Sequence, residues 1–219
     1  MEHLLQVRQR VFTELRGTKI IKALFAGTPD PGAYVRYLLN AYHYAQYSPK
    51  VMAIAAARCM DTHPPLATYL LHHAGEEQGH HQWALEDLRD LNVNEEEMRA
   101  TPPVPSCAAM VGYVHYIAAY ANPVGLFGWM YVLEAVGNDL GTLVAQQLRA
   151  VLGSSGKGTR FVARHGASDV DHTKDLTLHI REYVRREEDR RAVSHVADVV
   201  ADLYTRMFRE IGKEQQRWG

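Results

Sequence analysis

His165-Gly-Ala-Ser-Asp169-Val-Asp-His172 decides how the rest of the chain is read. Taken as helix, His165, Asp169 and His172 fall at i, i+4 and i+7, so all three project from one face over about two turns. Two imidazoles and a carboxylate on one stripe form a mixed nitrogen and oxygen donor set suited to iron, manganese or zinc. The stripe continues through Leu176 and His179, whereas Asp171 falls off it. Two further carboxylate-bearing segments bear on the same chemistry: Glu76-Glu77-Gln-Gly-His80-His81, and Glu134 inside the apolar run Trp129–Val136.

Around these segments helical spacing dominates, and alternating strand patterns are almost absent. Seven helices are expected, over about 2–26, 31–60 (with a kink at Pro49), 65–91, 106–121, 123–152, 159–187 and 190–216. The breaks between them are set by Gly27–Gly32, His63-Pro-Pro65, Thr101–Pro105, Asn122-Pro123 and Gly153–Gly158. The expected fold class is all-α, a seven-helix bundle forming a single domain over 1–219.

Composition narrows the function classes. A chain of 219 residues with 47% apolar content can bury a full core. A formal net charge of −1 gives no reason to expect nucleic acid or an anionic membrane as partner. No apolar run reaches spanning length, since Glu134 and His115 interrupt the two longest. Two cysteines, Cys59 and Cys107, make no disulfide framework, and with no apolar leader at the N-terminus the expected compartment is the cytoplasm.

On the third helix Leu70, His73, Glu77, His80, Ala84 and Leu88 share a stripe, placing Glu77 and His80 among apolar positions. Glu76–His80 and Glu77–His81 stand as rival i, i+4 pairs. Glu134 is flanked by Met130, Tyr131, Val132, Leu133, Ala135 and Val136, so its helix is apolar nearly all round. A buried ionised carboxylate costs several kcal/mol unless it is paired or bound to metal. Glu77, Glu134 and Asp169 together call for compensating positive charge. Two divalent ions supply it better than one, with neutral His80, His165 and His172 adding donors and no charge.

Glu77-x2-His80, a lone helical Glu134 and His165-x3-Asp169-x2-His172, in that order, resemble the haem-oxygenase-like diiron oxidases and oxygenases. The resemblance covers essentially the whole chain. It implies a seven-helix bundle, two Fe(II) ions held by Glu77, His80, Glu134, His165, Asp169 and His172, and O2 as co-substrate. It also implies oxidation of a small organic substrate, an amino acid, a fatty acid or a related biosynthetic intermediate, by C–C cleavage, decarboxylation, desaturation or N-oxygenation. Competing readings are a haem-degrading oxygenase, a thiaminase-like enzyme using Cys107, and a non-catalytic helical metal-binding protein. Haem oxygenases take their iron-ligating histidine from the first helix, which here offers only His3. Gly137-Asn-Asp-Leu-Gly141 resembles their glycine-containing distal helix, but small residues there serve helix packing equally well. Substrate contacts are expected from Tyr42, His43, Tyr47, Tyr113, Tyr116 and Phe127, and Arg36, Arg160 and Arg164 are read as surface residues. The expected partner is the small-molecule substrate, with a homodimer left open.

Overall fold

The structure, a computed structural model, describes residues 1–153 and 156–213. It is all-helical there, with eleven α-helices, nine of them of eleven residues or more. They are α1 (Glu2–Arg16), α2 (Lys19–Phe25), α3 (Pro31–Ala45), α4 (Ser48–Cys59), α5 (Pro64–Glu76) and α6 (His80–Asp90). There follow α7 (Glu95–Ala100), α8 (Pro105–Tyr120), a 3-10 turn at Pro123–Gly125, α9 (Leu126–Leu152), α10 (Arg160–Tyr183) and α11 (Glu187–Lys213). None is long and apolar enough to cross a membrane.

The expected seven helices are therefore too few, and each extra break has a local cause. Thr18 ends α1 by donating its hydroxyl to the Leu15 carbonyl at 2.6 Å, and it starts α2 by accepting from the Ile21 amide. The expected kink at Pro49 is a full restart: Pro49 lies in the first turn of α4, where its missing N–H costs nothing. Gly79, at φ +91°, turns the chain between α5 and α6 in a conformation that favours glycine. Asn94 starts the short α7 by accepting from the Glu96 and Glu97 amides. Asp30 does the same at α3, taking the Gly32 amide at 2.9 Å ahead of Pro31. The segment Gly153–Gly158, expected to be a flexible break, includes residues 154–155, which lie outside the described residues, as do 214–216 of the last expected helix.

Helix α9 is the central element and packs against both α10 and α11. Its approach to α10 is backbone on backbone. A methyl group on Gly141 would come within 2.7 Å of the Gly166 Cα, and one on Gly166 within 2.6 Å of the Thr142 nitrogen. The Gly137–Gly141 stretch thus serves helix packing. The close crossing brings the Glu134 segment and the His165–His172 segment together.

The start of α10 is fixed by α6. Asp87, with no exposed surface, accepts from the backbone amides of Arg160 at 2.9 Å and Phe161 at 2.8 Å, and from the Arg160 guanidinium at 3.3 Å. A carboxylate from one helix thereby caps the next and holds the His165 helix against the His80 helix. Asp87→Ala leaves two buried amides unpaired and is expected to cost about 2–3 kcal/mol. Thermal or urea denaturation checks this, and a loss under about 0.5 kcal/mol would show that the cap is dispensable.

Candidate metal centre

Four helical segments converge on one buried cluster. Helix α5 brings His73 and, at its C-terminal edge, Glu77; α6 begins with His80; α9 brings Glu134; and α10 brings His165, Asp169 and His172. Two groups of donors arise. In one, donor atoms of His73, Glu77, Glu134 and His172 all lie within 4.8 Å of one another; in the other, those of Glu77, His80 and His165 do. Glu77 belongs to both.

The distances are those of a donor set with little else to bind. The Nε2 atom of His73 lies 3.0 Å from Glu134 Oε1, and Nδ1 of His172 lies 3.4 Å from Glu134 Oε2. Nδ1 of His80 is 3.0 Å from Glu77 Oε1. Yet Glu134 Oε2, His172 Nδ1 and His80 Nδ1 are buried without a hydrogen-bond partner. Orphaned buried donors and acceptors are costly, and three in one cluster fit a bound cation. His165 is already oriented for such a role, since its Nδ1 bonds to the Phe161 carbonyl at 2.8 Å and leaves Nε2 facing the cluster side.

Electrostatics agree. Burial works against ionisation of Glu134, but His172 and His73 outweigh it and hold the carboxylate down at about 2. Burial works against Glu77 as well, and His80 and His165 hold it below its usual value. Asp169 has less to offset its burial: Ser168 at 3.2 Å and His172 at 3.9 Å. Burial and the charges of Glu134 and Glu77 push its carboxyl up to about 10. Burial also pushes His165 below the usual histidine range, leaving a neutral ring able to donate a lone pair.

The six sequence-derived ligand candidates are brought to this one region, with differences in detail. Glu77 and His80 were read as neighbours on one continuous helix; they are instead brought together across the non-helical joint at Gly79. Glu77 and His80 point inward, while Glu76 is largely exposed at the rim and His81 faces Tyr42. Asp169 stands beside the cluster and in neither donor group. It is turned onto α9, where a methyl on Gly137 would come within 1.6 Å of its Oδ2, and it takes a hydrogen bond from Ser168. His73 was missed as a donor. The signal was present, since His73 lies on the same apolar stripe one turn before Glu77.

The expected substrate contacts are corrected. None of Tyr42, His43, Tyr47, Tyr113, Tyr116 and Phe127 lines the cavity that opens on this cluster. His43 bonds to the Thr101 carbonyl, Tyr47 packs on His115, Tyr116 is 55% exposed, and Phe127 fills the core against Tyr69. The tyrosines of α3 that line the cavity are instead Tyr34, Tyr37 and Tyr44. The three arginines are engaged elsewhere: Arg36 with the Ile211 carbonyl, Arg160 with Asp87 and Asp90, and Arg164 over the Trp83 ring.

The rival readings find little support in the same geometry. His3 pairs with Asp198 at 2.8 Å on the exposed outer face, away from the cavity. Cys107 is fully buried, its thiol is pushed up to about 12 by burial, and it does not line the cavity. A nucleophilic thiolate needs the opposite environment.

The helical architecture and this donor cluster define the haem-oxygenase-like class. The chain belongs to the iron-containing redox enzyme family, which it matches over residues 35–205. In structure it is similar to a domain of unknown function with a haem-oxygenase-like fold from Shewanella denitrificans. Identity to that domain is 24%, TM-score 0.87, with 97% of this chain and 91% of that one covered. A TenA homologue from Pyrococcus furiosus shares the fold at 13% identity and TM-score 0.74, covering 96% and 98%. So does a CADD-like protein of unknown function from Nostoc punctiforme, at 16% identity and TM-score 0.73, covering 97% of each chain. Among curated proteins none matches the chain in sequence.

Proposed function

We propose that this protein is a non-haem diiron oxidase or oxygenase that uses O2 to oxidise a small organic substrate. The observation that supports the reading is Glu77, whose carboxylate is common to both donor groups, as a ligand shared by two ions would be. His73, Glu134 and His172 would complete one position, and His80 and His165 the other. Asp169 would join them once positive charge relieves its repulsion from Glu134. Two Fe(II) ions, when bound, supply the redox capacity for O2 activation.

The chain's own residues supply the rest. The Phe161 carbonyl fixes the His165 ring, and Ser168 positions the Asp169 carboxyl by donating to its Oδ1 at 3.2 Å. Tyr69 stacks on His73 at a ring separation of 5.7 Å and shields that side from water. The largely apolar cavity beside the cluster keeps the reacting end of a substrate out of bulk solvent.

Anaerobic titration with Fe(II), followed by metal analysis of the desalted protein, is expected to give close to two irons per chain. One equivalent or none would overturn the dinuclear reading. Zinc binds such donors more tightly than Fe(II), so a zinc-filled preparation does not count as support. O2 uptake by the iron-loaded protein with substrate separates an oxidase from a non-catalytic metal-binding protein.

A further inference from the structure

The cavity that reaches the donor cluster encloses about 1180 Å3, its open mouth included. Its composition is lopsided. Charge is concentrated at one end, where His73, Glu77, Glu134, His165 and Asp169 form the wall. Beyond them the wall is hydrocarbon and aromatic, with residues such as Met52, Trp129, Leu140, Val144, Phe161 and Phe208. Among the described residues no lysine or arginine lines it. The single acid outside the cluster, Asp30, already caps α3 and lies 3.6 Å from Arg36.

The remaining polar atoms are mostly committed. The Tyr37 and Tyr44 hydroxyls lie 3.4 Å apart, and Ser48 donates to the Tyr44 carbonyl. Tyr34 differs, since its hydroxyl is buried with no hydrogen-bond partner. The wall beyond the cluster therefore offers Tyr34 as an unpartnered neutral hydrogen-bonding group, and its one charge, Asp30, is already engaged by Arg36. A buried charge without a partner is strongly disfavoured, whereas each buried methylene is favourable.

The geometry points to a substrate with a single charged end: a hydrocarbon chain or aryl-alkyl body whose one ionic group sits at the histidine–carboxylate cluster. This rests on the proposed function for the identity of the reacting end, but not for the character of the body. It separates such amphiphiles from molecules charged at both ends, such as diacids, diamines and amino acids with a charged side chain, whose far charge would lie against the apolar wall. The body tolerates one neutral hydrogen-bonding atom at Tyr34.

Matched pairs of equal length test this by calorimetry. On the Fe(II)-loaded protein under anaerobic conditions, octanoate is expected to bind at least about 30-fold more tightly than suberate, its eight-carbon diacid counterpart. On the metal-free protein, octylamine is expected to bind more tightly than 1,8-diaminooctane by a similar factor, because the cluster then presents carboxylates. Val144→Phe, which narrows the cavity ten residues away from Glu134, is expected to weaken octanoate about tenfold and leave iron stoichiometry unchanged. Equal or tighter binding of the doubly charged partner in both pairs overturns the inference. Should iron fail to bind while octylamine still prevails over the diamine, the diiron reading falls and this one stands.

Discussion

Glu134→Ala is expected to remove one of the two irons, and with it all O2-dependent turnover, while leaving the helical fold in place. Glu134 is the only carboxylate α9 contributes to the cluster, and it contacts His73 at 3.0 Å and His172 at 3.4 Å. Its removal takes about one negative charge from beside two dications and leaves two histidines without the group that orients them. Metal affinity is expected to fall by about 100-fold or more at that position, since losing a ligand costs at least as much as the roughly 10–100-fold that follows loss of a ligand-supporting group. Stability of the metal-free protein should move little, because two effects oppose each other. The ion-pair contacts to His73 and His172 are lost, and the repulsion that pushes Asp169 up is relieved. Metal analysis, circular dichroism and thermal denaturation together make the test. If the substitution costs the metal-free protein more than about 3 kcal/mol, Glu134 is a structural hydrogen-bonding residue and the ligand role is lost.

Gly141→Ala is expected to disrupt, with a single added methyl, the α9–α10 crossing that carries the metal-bearing segments. The new Cβ would meet the Gly166 Cα at 2.7 Å, the Gly166 nitrogen at 3.0 Å and the Val162 carbonyl at 3.1 Å. All are backbone atoms, so no side chain can swing away and the helices must separate. Overpacking of this kind costs about 1–3 kcal/mol, and a backbone clash belongs at the upper end. The functional effect should exceed the loss in stability. Separating α9 from α10 also parts Glu134 from His172, so iron affinity should drop in a variant that is still folded at room temperature. A variant with unchanged melting temperature and two tightly held irons would show that the crossing is not what sets the site. Gly137→Ala provides a graded comparison, since its methyl meets the movable Asp169 carboxylate and not backbone.

Much of this was legible in the sequence because the site is written on helices. His165, Asp169 and His172 lie on one uninterrupted helix, α10, so period 3.6 alone predicts their common face. Glu134 announced itself by being a carboxylate among apolar neighbours, and it is 8% exposed. What failed was continuity. The joints at Thr18 and Gly79 depend on a cap and on one left-handed glycine, features that hydrophobic spacing does not register, and the break at Pro49 is a full restart where spacing suggests only a kink. The tyrosines failed for another reason: α3 is tyrosine-rich on more than one face, and residue type alone does not say that Tyr34, Tyr37 and Tyr44 line the cavity while Tyr42 does not. His73 lies on the predicted stripe, and nothing in the spacing separates it as a donor from the other histidines of that segment.

The joint at Gly79 has a bearing on how relatives of this chain are found. His73 and Glu77 are separated by a helical turn, so their spacing is rigid: one residue inserted between them would rotate Glu77 by about 100° and remove it from the cluster. Glu77 and His80 are separated only by Gln78 and the left-handed Gly79, both outside the helices. There an inserted residue can be absorbed by the loop without turning either helix. A search pattern that fixes Glu-x2-His as tightly as His-x3-Asp-x2-His therefore treats a loop as if it were a ruler. Patterns that keep His-x3-Glu strict and let the next gap vary in length follow the architecture more closely.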